Sequence, residues 1–471
     1  MKYEPADTLY LWWLGRPDEP VHVGNLHIAR AMQGVSLRYG ADWLEAGFPL
    51  SEDLPLVAGE FLPREKETAA GAVDDARPDR WGERVIRFLD KPPRLAVLDF
   101  LFFAGHERFG ALGVSLSAEA YQPRRIGPLP QLRDVGAIDH LVKQILAGEP
   151  VSPEQKRLIA PGVTLGGARP KALLDIASKQ WVLKFGEPGE ALDMPLVEHA
   201  AMTLASEAGI QVAETRPIPL QAGHAVAVKR FDRAGERRIH ALSANVALKG
   251  AGEAPGYPEL AQLLRRRGVV DGGIAQAQMQ ELFRRMVFNI LIDNTDDHEK
   301  NHALLLADSG HYVLSPAFDV LPSAQALGYQ QMRVGTWQGD STLDNALSEA
   351  RQFGLDQAQA REQVRRVCAV VSRWHDHFAA AGVSRRDLDA LASTIDRPFL
   401  RDQRRAFAPR LCAGLIPQPA QSRASAIIST STTNDASYSR CTCTHVAAGR
   451  RSPKKDRRSA LFAMKASRSV A

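Results

Sequence analysis

Cysteine is scarce in this chain: four residues in 471, at Cys368, Cys412, Cys441 and Cys443. None forms a CxxC pair, which excludes a disulfide framework and the common paired-cysteine zinc site. The CTC at 441–443 is too close-set for such a pair and has only His445 nearby. Long apolar runs are missing as well. The best candidate, LAVLDFLFFAG at 95–105, is well short of the ~20 residues a bilayer-spanning helix needs and contains Asp99. The opening MKYEPADTLYLWW has acids and a proline where a signal peptide has a basic start and an apolar centre. The expectation is a cytoplasmic protein without membrane contact.

A basic core is also lacking. The formal net charge is +5, but residues 413–471 hold ten Lys or Arg against two acids, leaving 49 against 52 in the preceding 412 residues. The charge is therefore a property of the tail and gives no sign of nucleic-acid binding by the rest. That tail, rich in Ser, Thr, Ala and Arg without sustained periodicity, is expected to be disordered. No internal repeat is found.

What is present is a hydrophobic fraction of 45%, enough for two or three domains with sizeable cores. Residues 1–150 mix short strand-like stretches (LYLWWLG, PVHVGNLHIA) with helices at 78–89 and near 95–105. Residues 151–245 are strand-rich, with GVTLGGARPKALLDI, WVLKF and HAVAVKRFDR around an amphipathic helix at 193–210. Residues 246–412 are dominated by helices. In ELFRRMVFNILI, for example, Leu282, Phe283, Met286, Val287, Ile290 and Leu291 share one broad apolar face. The hairpin-like HALLL–ADSG–HYVLS interrupts them.

Directly after that helix comes DNTDDHEKN (293–301), nine residues with three Asp, one Glu, one His and one Lys. It admits two chemistries. HEKNH (298–302) fits the zinc-peptidase pattern H-E-x-x-H, which needs both histidines on one helical face with Glu299 as base. DNTDD, however, stops or caps helices, and ADSG turns the chain soon after. The second chemistry is phosphoryl transfer, which needs an oriented nucleophile, a metal across the phosphates and balancing positive charge. Kinases supply these with a Gly-rich turn, a strand Lys, a helix Glu, a D-x-x-x-x-N loop and a later strand-end Asp. The same order runs here: GGARPK with Gly166, Gly167, Arg169 and Lys171; Lys184 in WVLKF; Glu198; Asp296 with Asn301; and Asp319 in AFD. GGARPK lacks the Walker A spacing, but its backbone N–H groups can still lie over phosphates.

NTDDHEKN, GGARPKALL, WVLKF, KRFDR and SPAFDVLPS together resemble the HipA-like serine/threonine kinases, toxins of bacterial toxin–antitoxin pairs. VGNL, WLEAGFPLSEDLPL and FGALGV are similar to that family's small N-terminal domain. The resemblance, from about residue 10 to 410, implies an α+β, two-lobed, protein-kinase-like fold. A small N-terminal α/β subdomain (1–150) would precede a kinase N-lobe (151–245) and an all-helical C-terminal lobe (246–412). It implies ATP and Mg2+, and phosphorylation of a cytoplasmic protein, an aminoacyl-tRNA synthetase in the best-known member. A helix-turn-helix antitoxin would neutralise the kinase and connect it to DNA only indirectly. By position, Asp296 would be the catalytic base, with His298 and Lys300 beside it. Asn301 and Asp319 would be the metal ligands, Lys184 with Glu198 would contact ATP, and Lys229 to Phe231 would lie near the adenine. Thr164 stands where the family has an inhibitory loop Ser. A zinc metallopeptidase using HEKNH and a catalytically silent corepressor module are the alternatives.

Overall fold

The structure is a computed structural model and describes residues 3–125, 127–162, 167–323 and 325–407. The expected disordered tail, and the loop residues Thr164 and Gly166, lie outside the described residues.

The first strands alternate as their sequence requires. In β1 (Thr8–Trp13), Leu9 and Leu11 point inward and are fully buried. It pairs antiparallel with β2 (Val21–Ala29), which continues to β3 (Gly34–Tyr39) and β4 (Glu60–Phe61). With β5 (Leu112–Ser115) they make one sheet, ordered β4-β3-β2-β1-β5. Against it lie α1 (Ala41–Ala46) and α3 (Val97–Phe103), while α2 (Arg80–Val85) comes between them in the chain. Every residue of α3 is buried, including Asp99, whose carboxylate meets Arg94 at 2.7 Å and the Tyr3 hydroxyl at 2.5 Å. After α2 the chain makes a single π turn over Ile86–Asp90. The next helix is α4 (Val135–Ala147), capped by Gly148 in the left-handed region.

A second sheet has the order β6-β7-β9-β8, with β6 (Lys171–Ile176), β7 (Lys179–Phe185), β8 (Thr215–Pro219) and β9 (His224–Lys229). Between β7 and β8 runs α5 (Met194–Glu207), started by the Asp193 side chain and Pro195. One sheet face packs through Leu174, Trp181, Leu183 and Phe185 onto Trp81 and Val85 of α2 and Ile138 and Leu141 of α4. The core is thus continuous across residue 150.

A two-residue hairpin, β10 (Arg233–Ala234) with β11 (Arg237–Arg238), leads into β12 (Ala241–Ser243). Helices follow: α6 (Ala244–Ala251), α7 (Tyr257–Arg267) and the 18-residue α8 (Ile274–Leu291). All six residues of the apolar face expected on α8, from Leu282 to Leu291, are fully buried. The helix stops where Asp293 takes φ +59°, fixed by Arg397 at 2.7 Å and by the amide of Ala326 at 3.0 Å. Beyond it, β13 (Ala303–Leu306) and β14 (Tyr312–Leu314) close a three-stranded sheet with β12. The all-helical C-terminal lobe implied for residues 246–412 is therefore corrected: the hairpin suggested by HALLL–ADSG–HYVLS forms, and Ala241–Ser243 covers its edge. The chain continues through α9 (Leu343–Ser348), α10 (Gln357–Val371), α11 (Trp374–Ala380), α12 (Arg385–Ile395) and α13 (Pro398–Phe407). Among the described residues, no helix is long and apolar enough to cross a membrane.

Candidate active site

Strand alternation decides where Lys184 points. Its neighbours Leu183 and Phe185 face the α2/α4 core, so Lys184 lies on the opposite face, towards α5. There its ammonium donates to Glu198 Oε1 at 2.6 Å and to Asp319 Oδ1 at 2.7 Å. Glu198 comes from the second turn of α5. Asp319 arrives from the segment after β14, where Ala317 exchanges backbone hydrogen bonds with Gln211 and Ala213. Asp319 itself has φ +59°, an uncommon conformation for a residue with a β-carbon. Burial acts against charge on all three groups. For Lys184 the two carboxylates outweigh it and hold the ammonium above its ordinary value. Asp319 is brought down to about 2 because Lys184 outweighs burial. Glu198 is pushed up, by burial first and then despite Lys184, since it shares one ammonium with a second carboxylate.

The loop after α8 carries the next group. Asp296 is exposed and accepts a hydrogen bond from Gln331 Nε2 at 2.8 Å. Asn301 is buried, its amide nitrogen 3.5 Å from the Asp296 carbonyl. Asp297 turns the other way, into the core. The Tyr257 hydroxyl of α7 donates to it, and His302 Nε2 lies 2.9 Å from the same oxygen. Asn289 donates to Tyr257 at 3.2 Å and accepts from Asn294 at 3.1 Å, so a buried network underlies the loop. Burial pushes the Asp297 carboxyl up, but His302 and Tyr257 outweigh it and hold it below the usual range.

These two groups meet around a cavity of about 320 Å³, within the ~300–1,000 Å³ typical of small-ligand sites. Lys184, Asp319, Asp296, His298, Lys300 and Asn301 line its polar end. Val182, Met194, Val228, Phe109, Phe231 and Phe318 line an apolar end. There Phe231 lies between Phe109, edge-on with ring centroids 5.6 Å apart, and Phe318, tilted with centroids 5.3 Å apart. The lining offers a ligand both apolar surface and charged groups.

Two family models match this chain, one described as the HipA N-terminal domain over residues 19–115 and one as the HipA-like C-terminal domain over residues 163–374. The chain belongs to the HipA-like family. It is 27% identical over 340 residues to a Sinorhizobium fredii protein named "Putative kinase Y4mE", covering 67% of this chain and 77% of that one. A second from the same organism, "Putative kinase Y4dM", is 33% identical over 155 residues, 30% of this chain and 37% of the other. Among solved structures, a chain of the Shewanella oneidensis MR-1 toxin–antitoxin complex of HipA, HipB and operator DNA superposes with a TM-score of 0.57. It is 18% identical and covers 84% of this chain and 97% of that one. This likeness establishes a mixed α/β fold shared with HipA.

In this HipA-like chain the remaining expected residues are placed as follows. Gly167 lines the cavity with φ +104°, and a β-carbon there would lie 2.9 Å from Lys171 Nζ. Arg169 lines it too, paired with Glu190 at 2.9 Å. Lys171 sits directly opposite Lys184 across β6 and β7, an arrangement of like charges that is unfavourable unless each is neutralised. It lines the cavity as well, and its ammonium meets Asp79 at 2.7 Å. Lys229 contributes to the cavity wall while its ammonium bonds Glu214 at 3.1 Å.

The zinc arrangement does not form. Residues 299–301 make one 3-10 turn rather than an α-helix, so His298 faces the cavity while His302 faces Asp297 and the Tyr257 ring. Among the described residues, no group of three or more His, Cys, Asp or Glu is arranged to hold a metal. Sequence inspection missed Phe109, Phe318, Met194 and Tyr257. FGALGV and AFD contain the first two, but nothing in their local pattern tells a cavity-lining aromatic from a core one.

Proposed function

We propose that this chain is an ATP-dependent protein serine/threonine kinase of the HipA type. The observation that carries this reading is the Lys184 ammonium bridging Glu198 and Asp319 inside a cavity that Asp296 and Asn301 also line. The apolar end suits an adenine between aliphatic and aromatic side chains. The polar end suits a triphosphate, with Lys184 on its oxygens and Glu198 fixing the direction of the ammonium. The fold follows the same reading: the β6–β9 sheet with α5 forms the smaller lobe, and α6–α13 with the β12–β14 sheet form the larger.

The donor set also fits a magnesium ion, a hard cation that prefers oxygen. Asp319 uses Oδ1 for Lys184. Its other oxygen, and the Asn301 amide oxygen, accept no hydrogen bond among the described residues. These two residues would hold the metal, which supplies charge neutralisation across the phosphates when bound. Asp296, exposed and oriented by Gln331, would take the proton of the acceptor hydroxyl. The hydroxyl oxygen would bond to the γ-phosphorus as the bond from that phosphorus to the bridging oxygen breaks, and ADP would leave. Lys300 would balance phosphate charge, and His298 would line the same end beside Asp296.

The acceptor in this proposal is a hydroxyl of a cytoplasmic protein, with aminoacyl-tRNA synthetases the class to assay first. The partner is a small helix-turn-helix antitoxin of the HipB kind, through which the kinase would reach DNA. The fold shared with a HipA crystallised with HipB and operator DNA supports that choice. Transfer of label from γ-labelled ATP to the chain itself or to a cell extract tests the activity. It should vanish in Asp296→Ala and Asp319→Ala, and full labelling by both variants overturns the mechanism.

A further inference from the structure

A second and larger cleft opens from the same loop. Its volume is about 1450 Å³, beyond the ~300–1,000 Å³ of small-molecule sites. Gly167, Ala168, Asp296, His298 and Lys300 line both this cleft and the nucleotide cavity, so the two meet at Asp296. One wall is the catalytic loop with Gln331. The opposite wall is built by the N-terminal part of the chain, from α2 and from the segment that enters α3.

We infer that this cleft seats an extended segment of the protein substrate, so that the N-terminal part of the chain takes part in choosing the acceptor. The inference rests on the kinase reading, because it makes Asp296 the point where acceptor and nucleotide meet. The size decides against a small-molecule acceptor. The lining decides which contacts are open to a peptide. Most charges on the N-terminal wall are already matched within the chain: Arg77 with Asp74 at 2.8 Å, Arg87 with Glu83 at 3.0 Å, and Arg30 with Asp7 at 2.7 Å. Arg80, exposed at the start of α2, makes no ion pair among the described residues. It offers five donors to a carboxylate. Farther along the wall, Leu95 is 47% exposed beside the buried Val97 and Phe100, an uncovered apolar step. Two acids of the lining, Glu67 on the N-terminal wall and Glu299 on the catalytic-loop wall, are also without an ion pair among the described residues, so the acidic preference is local to Arg80 itself. The segment that fits has an acidic residue facing Arg80 and an apolar residue facing Leu95.

The test uses the full chain, γ-labelled ATP and a library of short peptides, each with one central Ser or Thr and randomised flanks. Wild type should select one acidic and one apolar position. Arg80→Glu should raise the KM of the best peptide at least tenfold, leave the KM for ATP unchanged and switch the acidic preference to a basic one. Leu95→Asp should abolish the apolar preference. Both side chains are exposed, so neither change removes a buried contact. Unchanged peptide selection in both variants overturns the inference. Self-labelling by wild type with no peptide labelled also overturns it while leaving the kinase reading intact. No transfer to peptide, to the chain or to extract overturns the kinase reading itself.

Discussion

The hydroxyl of Tyr257 donates to the carboxylate of Asp297, the residue next to Asp296, so a tyrosine of α7 holds the loop from below. The pair is buried, and His302 and Asn289 complete it. Loop position is thereby tied to the helical core rather than to the loop's own turns.

Tyr257→Phe removes the donor and leaves buried polar atoms on Asp297 and Asn289 short of a partner. The expected cost is about 1–3 kcal/mol of stability. Phosphoryl transfer should fall through kcat, with nucleotide affinity kept, because the cavity wall is not altered. Denaturant unfolding and steady-state kinetics measure the two effects. Wild-type stability together with wild-type kcat would show that the hydroxyl positions nothing.

Lys184→Met leaves the buried Glu198 and the half-buried Asp319 as neighbouring carboxylates without their cation. Transfer should drop by about 10²–10³, the scale for removing a preorganised electrostatic group. The acid limb of stability should change as well. Asp319 lies near 2 in the folded protein, below the ~3.9 of a free Asp. Its ionisation therefore contributes stability above about pH 4 that is lost as the pH falls towards 2. In Lys184→Met that contribution goes, so less stability should be lost between about pH 4 and 2 than in the wild type when unfolding is followed by circular dichroism.

Asp75 has the opposite sign. It accepts from the Ser243 amide at 2.6 Å and the Ser243 hydroxyl at 2.7 Å, yet burial outweighs both and pushes it up to about 7. The native chain then keeps a proton that the unfolded chain has released above about pH 4. Stability should fall as pH rises from about 4 to 7. Asp75→Asn should flatten that decline in melting temperature, even though it weakens the bond from the Ser243 amide. An equal decline in the variant would assign the effect to other groups.

Asp232 is fully buried between Arg230 at 2.7 Å and Arg233 at 2.6 Å, and it accepts from the Gly110 amide at 2.8 Å. Burial pushes its carboxyl up, but the two guanidinium groups outweigh it and hold it well below the usual range. Asp232→Ala strands two buried cations, which should cost about 3–5 kcal/mol. Because Arg230 also donates to the carbonyls of Glu107 and Arg108, the loss should reach the cavity wall at Phe109 and Phe231. Calorimetry together with nucleotide titration measures both.

The parts of the site that lie close together in sequence were legible from the letters. Asp296 and Asn301 are five residues apart in one loop, and the apolar face of α8 ahead of them follows from helical spacing alone. Lys184 was legible as a strand residue, because period-2 alternation places it opposite Leu183 and Phe185. The ordered motifs brought Glu198 and Asp319 into the same expectation. What letters could not decide were pairings between segments far apart in the chain. Lys171 lines the cavity as Arg169 does, and its ammonium also meets Asp79, 92 residues earlier, a pairing that no local pattern announces. HEKNH matches a zinc pattern only in letters, and the 3-10 turn and Asp297 keep its two histidines apart. The short sheet among the later helices needed Ala241–Ser243 as an edge partner. Local spacing fixes which way a side chain leaves its own strand or helix. Which distant group it then meets depends on how the elements pack, and that is settled by burial and charge pairing across the whole fold.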